Sequence, residues 1–309
     1  MTDFSSWRRL AEQMGERLVF EAPLKSFTTF GVGGPARILA RPEKSGELRA
    51  LAALARSEGW PALVLGGGSN ILFADAGFDG LVVKLGGGFA ALEDSGSGTI
   101  LAGAAASSAS LLARAEAREL GGLECLAGLP GTVGGAVAGN AGSGGRAVGQ
   151  AVARVFILGD DGEARALEAA ELRFVPRRLE GLPRGAVILG VEFALTPRPA
   201  AEIRSRLRDL LERRRQSQPA GGRSAGCVFK NPPGFSAGRL IDECGFKGER
   251  VGGARISEIH ANFIIAEDGA SSADILALMD RVRRGVYGQR GLTLKPEIRI
   301  FGPGGEAAL

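Results

Sequence analysis

Runs of glycine between short apolar segments constrain this chain more than any other feature. Gly66-Gly67-Gly68 follows Ala62-Leu63-Val64-Leu65, and Gly86-Gly87-Gly88 follows Leu81-Val82-Val83-Lys84-Leu85. Glycine supplies 49 of 309 residues without a collagen-like period. Such a pattern predicts tight turns and close backbone approaches between short elements rather than a disordered or fibrous polymer.

The segments between the runs predict those elements. Leu48, Leu51, Ala52 and Ala55 share one face of a helix over 45–58, and Gly59 ends it. A second helix is expected over about 107–120, with strands at 155–158 and 186–189. Thr196-Pro197-Arg198-Pro199 reads as a linker. Beyond it, Ile203, Leu207, Leu210 and Leu211 mark one helix face. Ile275, Met279, Val282 and Val286 stripe a last helix over about 272–289, with Ser271 or Ser272 as N-cap. Leu292, Leu294, Ile298 and Ile300 alternate with Thr293, Lys295, Glu297 and Arg299, which predicts a final strand. The fold class is α+β: subdomains at 1–90 and 91–198, then a C-terminal α+β domain at 199–309.

Composition excludes several functions. A single histidine rules out a His-based metal site, a Ser-His-Asp triad and a His-held haem, and no metal is expected. The 38 basic and 34 acidic residues give a net charge of +4 with no basic stripe interleaved with aromatics, so nucleic acid is not an expected partner. Arg213-Arg214-Arg215 ends a helix, where cations suit the dipole. Three cysteines, Cys125, Cys227 and Cys244, make no disulfide framework and point to a reducing compartment. No signal core or run of about 20 apolar residues is present. The expectation is a cytoplasmic protein, not a membrane protein, without an obligate protein partner.

Three segments, beginning at Gly31, Gly86 and Gly142, nominally fit G-x-G-x-x-A. None opens a helix after a strand with an acidic residue some twenty positions on, so a Rossmann reading fails. No phosphate loop of the G-x-x-x-x-G-K-[ST] kind occurs. Two other segments offer converging backbone amides to an anion: Gly66-Gly67-Gly68-Ser69-Asn70, and Gly128-Leu129-Pro130-Gly131-Thr132-Val133-Gly134-Gly135 followed by Asn140. Tight turns between strands explain them equally well on physical grounds alone.

Together with Thr29-Phe30-Gly31-Val32-Gly33-Gly34-Pro35-Ala36, and in the same order, these segments resemble the UDP-N-acetylenolpyruvoylglucosamine reductase family. The resemblance runs from about Thr28 to Gly302. It implies two subdomains forming an FAD-binding unit of the vanillyl-alcohol-oxidase type and a third domain that binds a UDP-sugar. It also implies FAD held at Gly66, Gly67, Gly68, Ser69, Asn70, Gly128, Gly131, Thr132, Gly134, Gly135 and Asn140, with NADPH as co-substrate. The only histidine, His260, lies in the third domain and reads as structural, so the FAD is expected to be non-covalent. Tyr287 is the only tyrosine, which matches the shorter subgroup lacking a tyrosine-bearing insertion.

Ser224-Ala225-Gly226-Cys227-Val228-Phe229-Lys230-Asn231-Pro232 resembles the family's A-G-S-x-F-K-N-P, whose serine protonates the substrate carbanion. Cys227 stands in the serine's place. A thiol, with a reference pKa of roughly 8.5, is a stronger acid than an alcohol, and it also oxidises. Cys125 and Cys244 read as packing residues. Lys230 and Asn231 are the implied substrate-binding neighbours. Glu297, in Leu294-Lys295-Pro296-Glu297-Ile298, matches a catalytic glutamate. Arg177, in Phe174-Val175-Pro176-Arg177-Arg178, matches an arginine that holds the substrate carboxylate, although Pro176 replaces a tyrosine and Arg178 is a rival. Two other readings stay open: a flavin-dependent oxidase or dehydrogenase acting on another substrate, and a non-catalytic nucleotide-binding paralogue.

Overall fold

In the computed structural model, which describes residues 5–307, contacts divide the chain into two compact units. The first comprises Met1–Leu18, Ala40–Gly67 and Val82–Arg214; the second comprises Val19–Leu39, Gly68–Leu81 and Arg215–Leu309. These units cut across the contiguous ranges 1–90, 91–198 and 199–309, because two stretches before Val82 cluster with the C-terminal one. Three of the changes of unit fall inside the strands Leu18–Pro23, Pro35–Ala40 and Phe78–Val83.

The first unit carries helices α1 (Ser5–Met14), α2 (Ser45–Ser57), α3 (Ser108–Ala117) and α4 (Val133–Ala138), and α5 (Ala200–Ser217) begins there. Its main sheet has five antiparallel strands in the order Ala164–Glu168, Val152–Leu158, Val187–Ala194, Thr99–Gly103, Leu92–Gly96. Alternation along these strands sends Val155, Ile157, Val191, Phe193, Ile100 and Ala102 inward. Leu111 and Ala115 of α3 and Val133 and Val137 of α4 join the same core. Each large apolar side chain buried there contributes about 1.5–3 kcal/mol. Ser107 caps α3 by accepting from the Ser110 N–H at 2.9 Å.

Two expectations change. Thr196–Pro197 is not a slack linker, since it pairs with Leu120–Gly121. In α5 only Ile203 of the apolar stripe is buried, and Leu211 is 46% exposed.

The second unit contains α6 (Ala237–Glu243) and α7 (Ser272–Arg290) beside an antiparallel sheet of Arg250–Val251, Ala254–Ile256 and Ile264–Ala266. The predicted stripe of α7, Ile275, Met279, Val282 and Val286, is buried, and Leu278 is buried with it. Ser271 is its N-cap, in a capping box with Asp274. The Asp75 carboxylate also accepts from the Ser272 and Ala273 N–H groups, at 2.8 and 3.0 Å. A second sheet orders Gly305–Ala307, Arg299–Gly302 and Ile71–Phe73, the last pair parallel.

The expected strand over 292–300 is regular only from Arg299. Burial still alternates, with Leu294 and Ile298 inside and Lys295 and Arg299 outside. Pro296 has no N–H to give a ladder, and the segment is held instead by an isolated bridge between Phe229 and Pro296.

Candidate active site

The first unit brings the two glycine segments together. A Cβ at Gly67 would lie 2.6 Å from Gly131 Cα, and one at Gly66 would lie 2.7 Å from Thr132 Oγ1. Glycine alone allows this approach of backbone to backbone. Thr132 Oγ1 accepts from the Gly135 N–H at 3.4 Å, and Gly134 packs against Ala104. Lys84 was not singled out from the sequence. Its Nζ donates to the Gly66 carbonyl at 2.8 Å, while burial, with the nearby Arg41 charge, pushes the ammonium pKa down. Gly128 lies against Leu211 and Arg214 side chains. Gly66, Gly67, Gly131, Thr132 and Gly135 thus meet in one backbone-lined cradle, which fits a dinucleotide pyrophosphate and would be filled by side chains at Gly66 or Gly67.

Asn140 belongs to a neighbouring feature, a cavity of about 500 Å3. Two hairpins contribute to its wall. In one, Ser143 pairs with Arg146 across Gly144-Gly145, whose φ values of 62° and 78° make the turn type I′. In the other, Val175 pairs with Arg178 across Pro176-Arg177, and Arg177 has φ 63°. Proline followed by a left-handed residue is type II geometry, where glycine or asparagine is the usual occupant. A side chain in that conformation costs about 1–2 kcal/mol, so the turn holds Arg177 against its preference, as strained residues at functional sites are held. Asn140, itself left-handed at φ 40°, donates from Nδ2 to the Val175 carbonyl at 3.0 Å and accepts from the Gly149 N–H at 3.1 Å. Its side chain is a brace between segments more than an anion donor. Arg177 lines the cavity, together with Arg146 and Gln150. Arg178 instead pairs with Glu180.

The second unit holds Gly68, Ser69, Asn70, Cys227, Lys230, Asn231 and Glu297. Thr29 N–H donates to the Gly68 carbonyl at 3.0 Å, so the Thr29-containing motif supports this loop. Cys227 follows Gly226, which has φ 76°, and bridges to Phe263. Val228 and Lys230 then run along the 295–297 segment: the Glu297 N–H donates to Val228 O at 2.8 Å, and the Lys230 N–H to Lys295 O at 2.8 Å. Glu297 is therefore one paired position from Cys227, and it is half-buried. Asn262, buried and missed by sequence reasoning, clamps Phe229 through both of its amide atoms, at 2.8 and 2.9 Å. His260 Nδ1 accepts from the Asn262 N–H at 3.2 Å, and burial pushes its pKa down. It is a neutral structural group, as the sequence implies.

Two predicted binding residues have structural duties as well. Asn231 Oδ1 accepts from the Ala237 N–H at 2.9 Å, at the start of α6. Asn70 Nδ2 donates to the Glu297 carbonyl at 3.3 Å. Lys230 is exposed. Burial pushes the Cys125 thiol up to about 11, Cys244 packs against the second core, and none of the three cysteines forms a disulfide. Among the described residues, no His/Cys/Asp/Glu group could hold a metal ion, and no helix is long and apolar enough to cross a membrane.

Two family models match successive stretches of the chain. Residues 35–167 match an FAD binding domain model, and residues 218–301 match the C-terminal domain of UDP-N-acetylenolpyruvoylglucosamine reductase. The chain is 44% identical over 287 residues to the reductase of that name from Moorella thermoacetica, covering 91% of this chain and 92% of the relative. Against one from Geotalea uraniireducens it is 40% identical, covering 98% and 99%. The crystal structure of UDP-N-acetylenolpyruvylglucosamine reductase from Thermus caldophilus superposes with a TM-score of 0.79 at 40% identity, covering 92% of this chain and 97% of that one.

Proposed function

This chain belongs to the UDP-N-acetylenolpyruvoylglucosamine reductase family, and on that premise we propose which of its residues run the reaction. It is an FAD-dependent oxidoreductase of peptidoglycan precursor synthesis, reducing UDP-N-acetylenolpyruvoylglucosamine to UDP-N-acetylmuramate with NADPH. The FAD-binding work falls to subdomains at 1–90 and 91–198, of the vanillyl-alcohol-oxidase type, and UDP-sugar binding to 199–309. The ranges of the two family matches support the separation of an FAD-binding part from a C-terminal part. The cytoplasm is its place of work, a reading supported by the sparse cysteine set.

The cradle of Gly66, Gly67, Gly131 and Thr132 holds the FAD pyrophosphate by backbone amides, non-covalently. The family resemblance assigns further FAD contacts to Gly68, Ser69, Asn70, Gly128, Gly134, Gly135 and Asn140. When bound, FAD supplies the two-electron transfer from NADPH to the enolpyruvyl double bond.

The remaining chemistry is the protein's. Arg177 binds the substrate carboxylate with its guanidinium fork. As negative charge grows toward that carboxylate, Arg177 and a hydrogen-bonding Glu297 stabilise it. One such preorganised donor is commonly worth about 3–4 kcal/mol in the transition state. Cys227 then gives its Sγ–H proton to the carbon bearing the carboxylate. Lys230 and Asn231 hold the UDP-sugar beside it, Asn231 while also fastening α6.

The observation that carries this reading is the pairing of Glu297 N–H with Val228 O. It sets an acid of the C-terminal segment beside the Cys227 segment, in a register fixed by main chain. Stopped-flow separation of the two half-reactions tests it. Flavin reduction by NADPH should survive loss of the Cys227 thiol, while reoxidation by the enolpyruvyl substrate should not.

A further inference from the structure

The cavity that receives Arg177 holds a second guanidinium. Arg146 directly follows the Gly144-Gly145 turn, lines the same cavity, and donates from Nε to Gln150 Oε1 at 3.2 Å. That contact uses only the Nε–H and leaves four of arginine's five N–H donors, those of the terminal amino groups, for a ligand. Asn140 braces the arrangement: through Val175 O it fixes the turn bearing Arg177, and through Gly149 N–H it fixes the segment bearing Arg146. Phe174 and Pro176 add apolar surface to the wall. Two cations and an apolar face in one space suit a small unsaturated carboxylate. Such a group has roughly four lone-pair sites, twice what one bidentate arginine engages.

We propose that Arg146 is a second carboxylate-binding residue, which with Arg177 clamps the enolpyruvyl carboxylate and so selects this substrate over UDP-sugars lacking that group. The inference rests on the assignment of Arg177 above. It predicts that the affinity conferred by the two arginines is shared rather than independent, because both contact one ligand group.

The experiment uses the FAD-loaded protein and its variants Arg146→Gln, Arg146→Lys, Arg177→Gln and the double Gln variant. Each is titrated with the enolpyruvyl substrate and, separately, with UDP-N-acetylglucosamine, which lacks the carboxylate. The rate of flavin reduction by NADPH is measured in parallel. Arg146→Gln should weaken the enolpyruvyl substrate about 10-fold, as expected for one charge-assisted hydrogen bond. Arg146→Lys should recover part of the loss. Neither variant should alter UDP-N-acetylglucosamine binding or the NADPH step. Parent affinity in Arg146→Gln overturns the proposal, and so does equal weakening of both ligands. A slowed NADPH step with unchanged substrate affinity overturns it too, moving Arg146 to the cofactor. Loss in Arg146→Gln with none in Arg177→Gln leaves Arg146 standing and removes Arg177 from its assigned role.

Discussion

Asn70 holds the segment of Glu297 at two points, Glu297 itself and Arg299. The Asn70 side chain donates from Nδ2 to the Glu297 carbonyl at 3.3 Å, and the Asn70 carbonyl accepts the Arg299 N–H at 3.0 Å. A residue at the end of the glycine loop therefore sets the position of the proposed acid. Asn70→Asp keeps the shape and removes the donor. FAD content is measured alongside, because Asn70 also belongs to the proposed cofactor loop, and in the FAD-loaded fraction substrate-dependent flavin reoxidation should slow by about 10-fold, the worth of roughly one hydrogen bond. Reoxidation at the parent rate, with FAD content unchanged, would show that the tie does not position Glu297.

Cys227→Ala should be reduced by NADPH at near the parent rate and reoxidised by the enolpyruvyl substrate about 10²–10⁴-fold more slowly, the usual cost of a lost general acid. Cys227→Ser should recover much of that rate and resist peroxide, which attacks the thiol. If Cys227→Ala reoxidises normally, the thiol only packs, and the proton comes from Glu297 or water.

Arg177 and Arg178 are adjacent in sequence and differ in surroundings. Arg177 lines the cavity, and Arg178 pairs with Glu180. Arg177→Ala should impair substrate reduction far more than Arg178→Ala. Arg177→Gly should abolish the same step while leaving the melting temperature equal to or above the parent's, because glycine accepts φ 63° without strain. The opposite order of the two alanine variants would reassign the carboxylate to Arg178.

Gly67→Val and Gly134→Val should each lose FAD on gel filtration. The contact distances add a reason to the one the sequence offers. A side chain at Gly67 meets the Gly131 backbone, and one at Gly134 meets Ala104 Cβ at 2.9 Å, so the cradle is pushed apart as well as obstructed. Circular dichroism distinguishes this from global unfolding. Full FAD content in both variants removes the site.

Glu47 accepts from Arg17 at 2.7 and 2.8 Å. Those hydrogen bonds lead the effects that pull its carboxyl from an ordinary 4.5 down to about 2. The folded value lies below the unfolded one, so the pair stabilises the protein above pH of about 4.5 and the benefit fades as pH falls toward 2. Glu47→Gln should melt below the parent at pH 7, and the gap should close across that window. A gap independent of pH would assign the effect to packing.

Local order in the sequence determined much of the fold. Leu48, Leu51 and Ala55 predict α2, and the stripe from Ile275 to Val286 with its Ser271 cap predicts α7, because helix period and capping are local properties. The glycine loops and the segment around Cys227 were legible as motifs. Tertiary structure decided what those motifs touch. Gly67 needs to be glycine because of Gly131, 64 positions away in the chain, where only folding sets the distance. Pro296 turned an expected strand into a segment held by bridges to Phe229 and Val228. Asn140, Asn231 and Asn70 read as ligand donors, yet each spends an amide atom on backbone, Asn140 and Asn70 on distant segments and Asn231 on the nearby start of α6. Arg146 gave no signal beyond an arginine after a Gly-Gly turn, because a shared cavity wall depends on where two hairpins meet, and no spacing in the chain encodes that.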